Sequence, residues 1–142
     1  MFDAQYNFVL DQLWQARTHL QGVHIDENWH EFGDMLFDIH IDTALSEAYV
    51  SACNNQGIQA KSVDYDAFPI DSGTIVIQHF LNPDSAIPLV IAVNNLYHNG
   101  ERTGQLASIA VNCAKSQGKR VALIAVGGLS GTLFREPIEP AA

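Results

Sequence analysis

The feature that most constrains the fold of this chain is a predicted strand, helix and strand between residues 88 and 131. Residues 89–93 are a near-continuous apolar run, which is typical of a strand buried on both faces of a sheet. Residues 101–117 then place apolar side chains on one stripe of a helix, and residues 120–126 form a second apolar run. This order predicts a parallel pair of strands joined by a right-handed crossover, and therefore an α/β fold.

Two loops follow the predicted strands at the same edge of the sheet, where parallel sheets bind their ligands. The glycine-rich turn at 127–131 either admits a ligand close to the backbone or is a tight exit from a buried strand. A serine hydrolase is disfavoured, because its nucleophile motif needs a glycine two places after Ser130 and Thr132 stands there. The candidate pocket or subunit-contact residues in these loops are Asn95, Tyr97, His98 and Ser130.

Upstream of this unit, the sequence predicts a helix over residues 43–56, with Asp42 as its N-cap. Alternating apolar and polar residues at 58–63 indicate a strand. The β-branched run at 74–77 predicts another strand, which a turn at 82–84 separates from the next one.

Composition and charge limit the class of protein. The 142 residues, of which 47% are apolar, predict one domain over 1–142. The formal net charge of -9 disfavours nucleic acid and anionic membranes as partners, and no apolar run reaches the roughly 20 residues of a membrane span. Two widely spaced cysteines and no secretion signal favour a reduced, cytoplasmic protein. The apolar opening has no helix cap before it, so we expect part of a longer protein.

Histidines and aspartates are concentrated between residues 24 and 42. Imidazoles and carboxylates at this density are compatible with a divalent-metal site. They alternate with large apolar side chains such as Trp29 and Phe37, however, and this favours a solvated or subunit-facing surface. We expect His24 and Asp26 to be subunit-contact or pocket residues. The full cluster comprises His24, Asp26, His30, Asp34, Asp38, His40 and Asp42.

Four separated stretches together resemble the class III extradiol ring-cleavage dioxygenases. They occur in the same order as in that family, and the likeness extends from about residue 8 to residue 139. The last stretch ends in Gly-Gly-Leu-Ser-Gly. The four stretches are residues 22–29, 68–74, 94–98 and 119–131.

The resemblance implies an expected fold and an expected metal. The fold is a three-layer α/β/α domain with a central, partly parallel sheet, like the B-type subunit of the family, and is expected to be incomplete here. Active members hold Fe(II) with two histidines and a glutamate, which lie outside the matched stretch. The resemblance therefore implies no iron ligand and no cofactor in this chain, with Fe(II) held by a catalytic partner.

Two further pocket histidines of the family lie inside the matched stretch, and both are replaced here. The first stands in an Asp-His-Gly motif, where this chain has Ser72, and the second closes a Gly-Gly-Leu-Ser-His motif, where this chain has Gly131. Glycine cannot transfer a proton, a function that typically contributes about 10² to 10⁴-fold in rate. Serine donates a hydrogen bond but does not titrate near neutrality.

This pattern resembles the non-catalytic subunits of two-subunit members, which pair with a catalytic beta-type subunit. The resemblance then implies an assembly that acts on catechol or 2-aminophenol type compounds. Two alternatives stay open. One is a degenerate but iron-binding dioxygenase completed by another chain, with His98 or the 24–42 cluster near the metal. The other is a small-molecule binding module that uses the sheet-edge pocket without catalysis.

Overall fold

The computed structural model describes residues 12–25, 33–64, 70, 72–93 and 98–125. Within these ranges the protein is a mixed α/β structure, which confirms the predicted class. None of the described helices is long and apolar enough to cross a membrane. The elements are β1 (Gln12–Gln15), β2 (His19–His24), β3 (Met35–His40), α1 (Thr43–Asn55), β4 (Ala60–Val63), α2 (Ser72–Leu81), β5 (Ala92–Val93) and α3 (Gly100–Ser116).

The described strands form two sheets. One has the order β4-β1-β5, in which β1 runs parallel to β4 and antiparallel to β5. The other is the antiparallel pair β2-β3. A partly parallel sheet is therefore present, but its parallel pair is not the predicted one.

The predicted strand at 89–93 is divided between two partners. Leu89 forms an isolated parallel bridge with Ile41, while Ala92 and Val93 pair with β1. The bridge is fixed by hydrogen bonds from the Leu89 amide to the His40 carbonyl (2.8 Å) and from the Asp42 amide to the Leu89 carbonyl (2.9 Å). The predicted strand is thus shortened to two residues and is antiparallel to its neighbour.

The predicted buried strand at 120–126 is wrong for its described part, residues 120–125, which form no strand. Val121, Leu123 and Ile124 are 54%, 69% and 48% exposed. An apolar run indicates that burial is favoured. Strand formation also needs a neighbouring sheet edge that supplies hydrogen-bond partners. No described strand pairs with this run.

Helix α1 has the predicted start. The Asp42 carboxylate accepts a hydrogen bond from the Leu45 amide (3.1 Å), as an N-cap does. The chain leaves the helix through Gly57, whose φ of +75° is a conformation that glycine adopts without strain. The buried face of α1 packs on β4 and α3, and the resulting core cluster comprises Leu45, Tyr49, Cys53, Ile58, Ala60 and Ile109.

Helix α2 replaces the strand predicted from the β-branched run at 74–77. Ile75 and Gln78, three positions apart, are both buried, which is the spacing of one helical face. Packing of that face outweighs the modest preference of β-branched residues for strands. The predicted turn at 82–84 is confirmed, and Asn82 closes it by exchanging two side-chain hydrogen bonds with the backbone of Ile87 (2.8 and 3.0 Å).

The β2-β3 pair buries one face and exposes the other. Its inner face contributes Leu20 and Ile39 to a second core cluster. Gly22 lies directly opposite Phe37, and a Cβ at Gly22 would be 2.8 Å from the tip of the phenyl ring. Glycine at this position therefore lets the ring pack across the strand. The cluster comprises Leu20, Ile39, Ile41 and Ile91, with Phe37, Ile70 and Leu89 packed against it.

Candidate functional site

The outer face of the β2-β3 pair carries three side chains that can bind a proton or a metal ion. The register pairs His19 with His40 and Gln21 with Asp38. Because side chains alternate between faces along a strand, Asp38 and His40 share a face, and His19 lies across from them. Ile39, between the two, points to the core and is 1% exposed. We call His19, Asp38 and His40 the hairpin triad.

The three side chains of the hairpin triad are close together. His19 Nε2 is 2.8 Å from Asp38 Oδ1, and His40 Nε2 is 3.9 Å from the same oxygen. The two imidazole rings stack with their centroids 4.6 Å apart and an interplanar angle of 13°. One ligand atom from each residue lies within 4.8 Å of the others. The side chains are 44%, 49% and 53% exposed, so solvent and ions reach them.

A polar network behind the sheet holds Asp38 in place. The Ser85 hydroxyl donates a hydrogen bond to the main-chain carbonyl of Asp38. Gln78 Nε2 donates both to this hydroxyl (3.2 Å) and to the Asn82 carbonyl (3.3 Å). Gln78 and Asn82 are buried, and Ser85 has a φ of 53°, which is uncommon for a residue with a side chain. The end of α2 and the turn after it therefore fix the segment of β3 that carries the Asp38 carboxylate.

The hairpin triad overlaps only in part with the cluster predicted between residues 24 and 42. Asp38 and His40 come together, but their third member is His19, which lies outside the predicted cluster. The signal that could have found it is the strand register, since His19 is the direct partner of His40. His24 pairs with Met35 at the far end of the strands and shares its face with the buried Leu20. Asp26 and His30 lie outside the described residues.

Asp42 has a structural role instead of a ligand role. Its carboxylate caps α1 and forms an ion pair with Lys119, which joins the start of α1 to the segment that follows α3. Burial by itself raises the pKa of Asp42. The hydrogen bonds from Lys119 and from the Leu45 amide, together with the lysine charge, outweigh burial, so the pKa of this carboxyl is lowered.

The predicted pocket residues of the sheet edge and the two positions of the family's pocket histidines are described only in part. Ser72 is the exposed first residue of α2, and His98 is half-buried immediately before Asn99, the N-cap of α3. The Asn99 side chain accepts a hydrogen bond from the Arg102 amide (2.9 Å). The remaining residues of this group lie outside the described part of the chain, so their roles stay predictions. They are Asn95, Tyr97, Ser130 and Gly131.

Comparison with known proteins relates the chain to dioxygenase subunits, although no family model matches it. It is 44% identical over 142 residues to the alpha subunit of 2-aminophenol 1,6-dioxygenase from Pseudomonas sp., an alignment that covers 99% of this chain and 52% of that subunit. It is 31% identical over 130 residues to the beta subunit of 2-aminophenol 1,6-dioxygenase from Pseudomonas sp., covering 86% of this chain and 43% of that subunit.

These similarities confirm the relationship predicted from the four sequence stretches. The chain is a relative of dioxygenase subunits along nearly its whole length. The particular proteins it is similar to are the alpha and, at lower identity, the beta subunits of 2-aminophenol 1,6-dioxygenase. The chain spans about half the length of these curated relatives.

Proposed function

We propose that this chain is a non-catalytic, alpha-subunit-like component of a cytoplasmic extradiol ring-cleavage dioxygenase. The observation that carries the proposal is the identity of 44% to an alpha subunit over nearly the whole chain, against 31% to a beta subunit. The complete protein is proposed to have the three-layer α/β/α architecture of the family. Its partner is a catalytic beta-type subunit, and the assembly acts on catechol or 2-aminophenol type compounds.

The replaced pocket histidines support a non-catalytic role. Ser72 stands where the family has one of them, and its exposed hydroxyl cannot take a proton from a phenol near neutral pH. Gly131 stands where the family has its acid and base. Because this chain supplies neither histidine, proton transfer in the assembly belongs to the beta-type partner, which also holds the Fe(II).

The first experiment measures activity. The full chain, the beta-type subunit and the co-expressed pair are each supplied with Fe(II) and 2-aminophenol, and oxygen consumption is followed. We expect no turnover by the chain alone and more turnover by the pair than by the beta-type subunit alone. Ring cleavage by this chain alone would contradict the proposal.

The second experiment uses two variants of this chain as controls. Ser72→His and Gly131→His restore the residue types found in active members, but they add no iron ligand. We expect the double variant to stay inactive alone and still to co-purify with the beta-type subunit. Failure of the unaltered chain to co-purify with any such subunit would rule out the subunit role.

A further inference from the structure

The geometry points to the hairpin triad as a binding site for a divalent transition-metal ion of the kind that imidazole favours, such as Zn²⁺, Ni²⁺ or Cu²⁺. Two imidazoles and one carboxylate come from two adjacent strands, with His19 and Asp38 already 2.8 Å apart. This site differs from the iron site of the family, whose ligands lie outside the stretch that this chain matches. It also does not depend on the proposed subunit role.

The spacing of the ligand atoms fits a single ion. With metal-ligand bonds of about 2.0 to 2.2 Å, neighbouring ligand atoms in a tetrahedral site are about 3.3 Å apart. The distances from Asp38 Oδ1 to His19 Nε2 and His40 Nε2, 2.8 and 3.9 Å, lie on either side of that value. All three ligand atoms lie within 4.8 Å of one another. The three ligand atoms are therefore near the spacing that one ion requires, and reorientation of the stacked imidazole rings is the change that binding needs.

The backbone that carries these ligands is already fixed. Directly paired residues of an antiparallel sheet have their Cβ atoms about 4.5 to 5.5 Å apart, which sets the distance between His19 and His40. The hydrogen bond from Ser85 and the buried Gln78 behind it hold the Asp38 segment. Ile39 anchors the same segment from the core side. Ligands on such a supported strand lose little conformational freedom when they bind an ion.

The ligand set selects the class of metal. Imidazole nitrogens suit Zn²⁺, Cu²⁺ and Ni²⁺, whereas Mg²⁺ and Ca²⁺ prefer oxygen ligands. Three protein ligands leave a further coordination position for water. The net charge of -9 attracts cations to the chain in general, but it does not distinguish one divalent ion from another. Tighter binding of these transition-metal ions than of Mg²⁺ therefore distinguishes binding at the hairpin triad from general attraction of cations to the chain.

The test is a calorimetric titration of the full chain with ZnCl₂, with MgCl₂ as the comparison ion. We compare the unaltered chain with His19→Gln, His40→Gln and Asp38→Asn. The matched control is His79→Gln, because His79 is an exposed histidine on α2 outside the hairpin triad. Removing one ligand is expected to weaken Zn²⁺ binding by at least about 10- to 100-fold, as loss of even a supporting residue does. The control should bind as the unaltered chain does.

A second measurement keeps the inference testable if a variant fails to fold. In the unaltered chain, substoichiometric Cu²⁺ should broaden the NMR signals of the His19 and His40 rings before that of His79. Bound Zn²⁺ should also raise the midpoint of thermal unfolding, since it binds the folded chain preferentially. Equal Zn²⁺ affinity in all folded variants, or broadening of His79 first, would overturn the inference. Neither result bears on pairing with a beta-type subunit, which is measured separately.

Discussion

Replacing Ile39 with alanine should destabilise the isolated chain far more than replacing Leu36, although both residues lie on β3. Ile39 is 1% exposed and packs in the second core cluster, whereas Leu36 is 77% exposed on the opposite face. The change from isoleucine to alanine removes three carbon groups, worth roughly 2.4 kcal/mol at about 0.8 kcal/mol each. The cavity that remains adds to this cost, so we expect a loss of unfolding free energy in the upper part of the range of about 2 to 5 kcal/mol that such substitutions cause.

Leu36→Ala is the matched control, because it removes the same number of carbon atoms from the same strand. We expect it to change the unfolding free energy by about 0.5 kcal/mol or less, as surface substitutions usually do. Urea unfolding followed by circular dichroism measures both values in the isolated chain. The stabilities are compared at equal protein concentration, because self-association would otherwise contribute to them.

The comparison tests the face assignment on which the hairpin triad depends. A register shift of one residue would move every side chain of β3 to the other face. Leu36 would then be buried, and Asp38 and His40 would point to the core. A loss of about 2 kcal/mol or more in Leu36→Ala, with little effect of Ile39→Ala, would therefore refute the reasoning.

Three further predictions concern polar groups that packing partly or fully removes from water. The Ser46 hydroxyl is buried without a hydrogen-bond partner among the described residues. Ser46→Ala should therefore leave the thermal midpoint unchanged or raise it, by a gain in stability of up to about 1 kcal/mol, and a clearly lower midpoint would contradict this. Because the pKa of Asp42 is lowered in the folded chain, this carboxyl stabilises the fold above about pH 4, and its contribution is lost as pH falls. Asp42→Asn does not titrate and carries no charge for an ion pair with Lys119, so it should lose less stability than the unaltered chain between about pH 5 and pH 3. Burial raises the pKa of the Cys113 thiol. The pKa of Tyr49 is raised mainly by burial and to a smaller extent by the negative charges of Cys113 and Asp42. Stability should therefore fall as pH rises above about 9, less so in Cys113→Ala, as measured by urea unfolding across that range.

Local signals in the sequence determined the helices that begin and end at strong caps. Asp42 lies at the start of α1 and Gly57 lies just after its end, and the amphipathic stretch at 101–117 corresponds to α3. Both were predictable because capping and helical periodicity act within a few residues. The relationship to dioxygenase subunits was likewise carried by the sequence alone, through motifs whose order and residues are visible without coordinates.

The tertiary structure decided everything that depended on distant partners. The β-branched run at 74–77 became part of a helix because one of its faces packs, and the apolar residues at 120–125 stayed exposed with no described strand beside them. His19 joined Asp38 and His40 only through the register of β2 and β3. Strand pairing is a contact between residues far apart in the chain, so a pattern of neighbouring residues predicts that a strand is favoured but not which strand lies next to it.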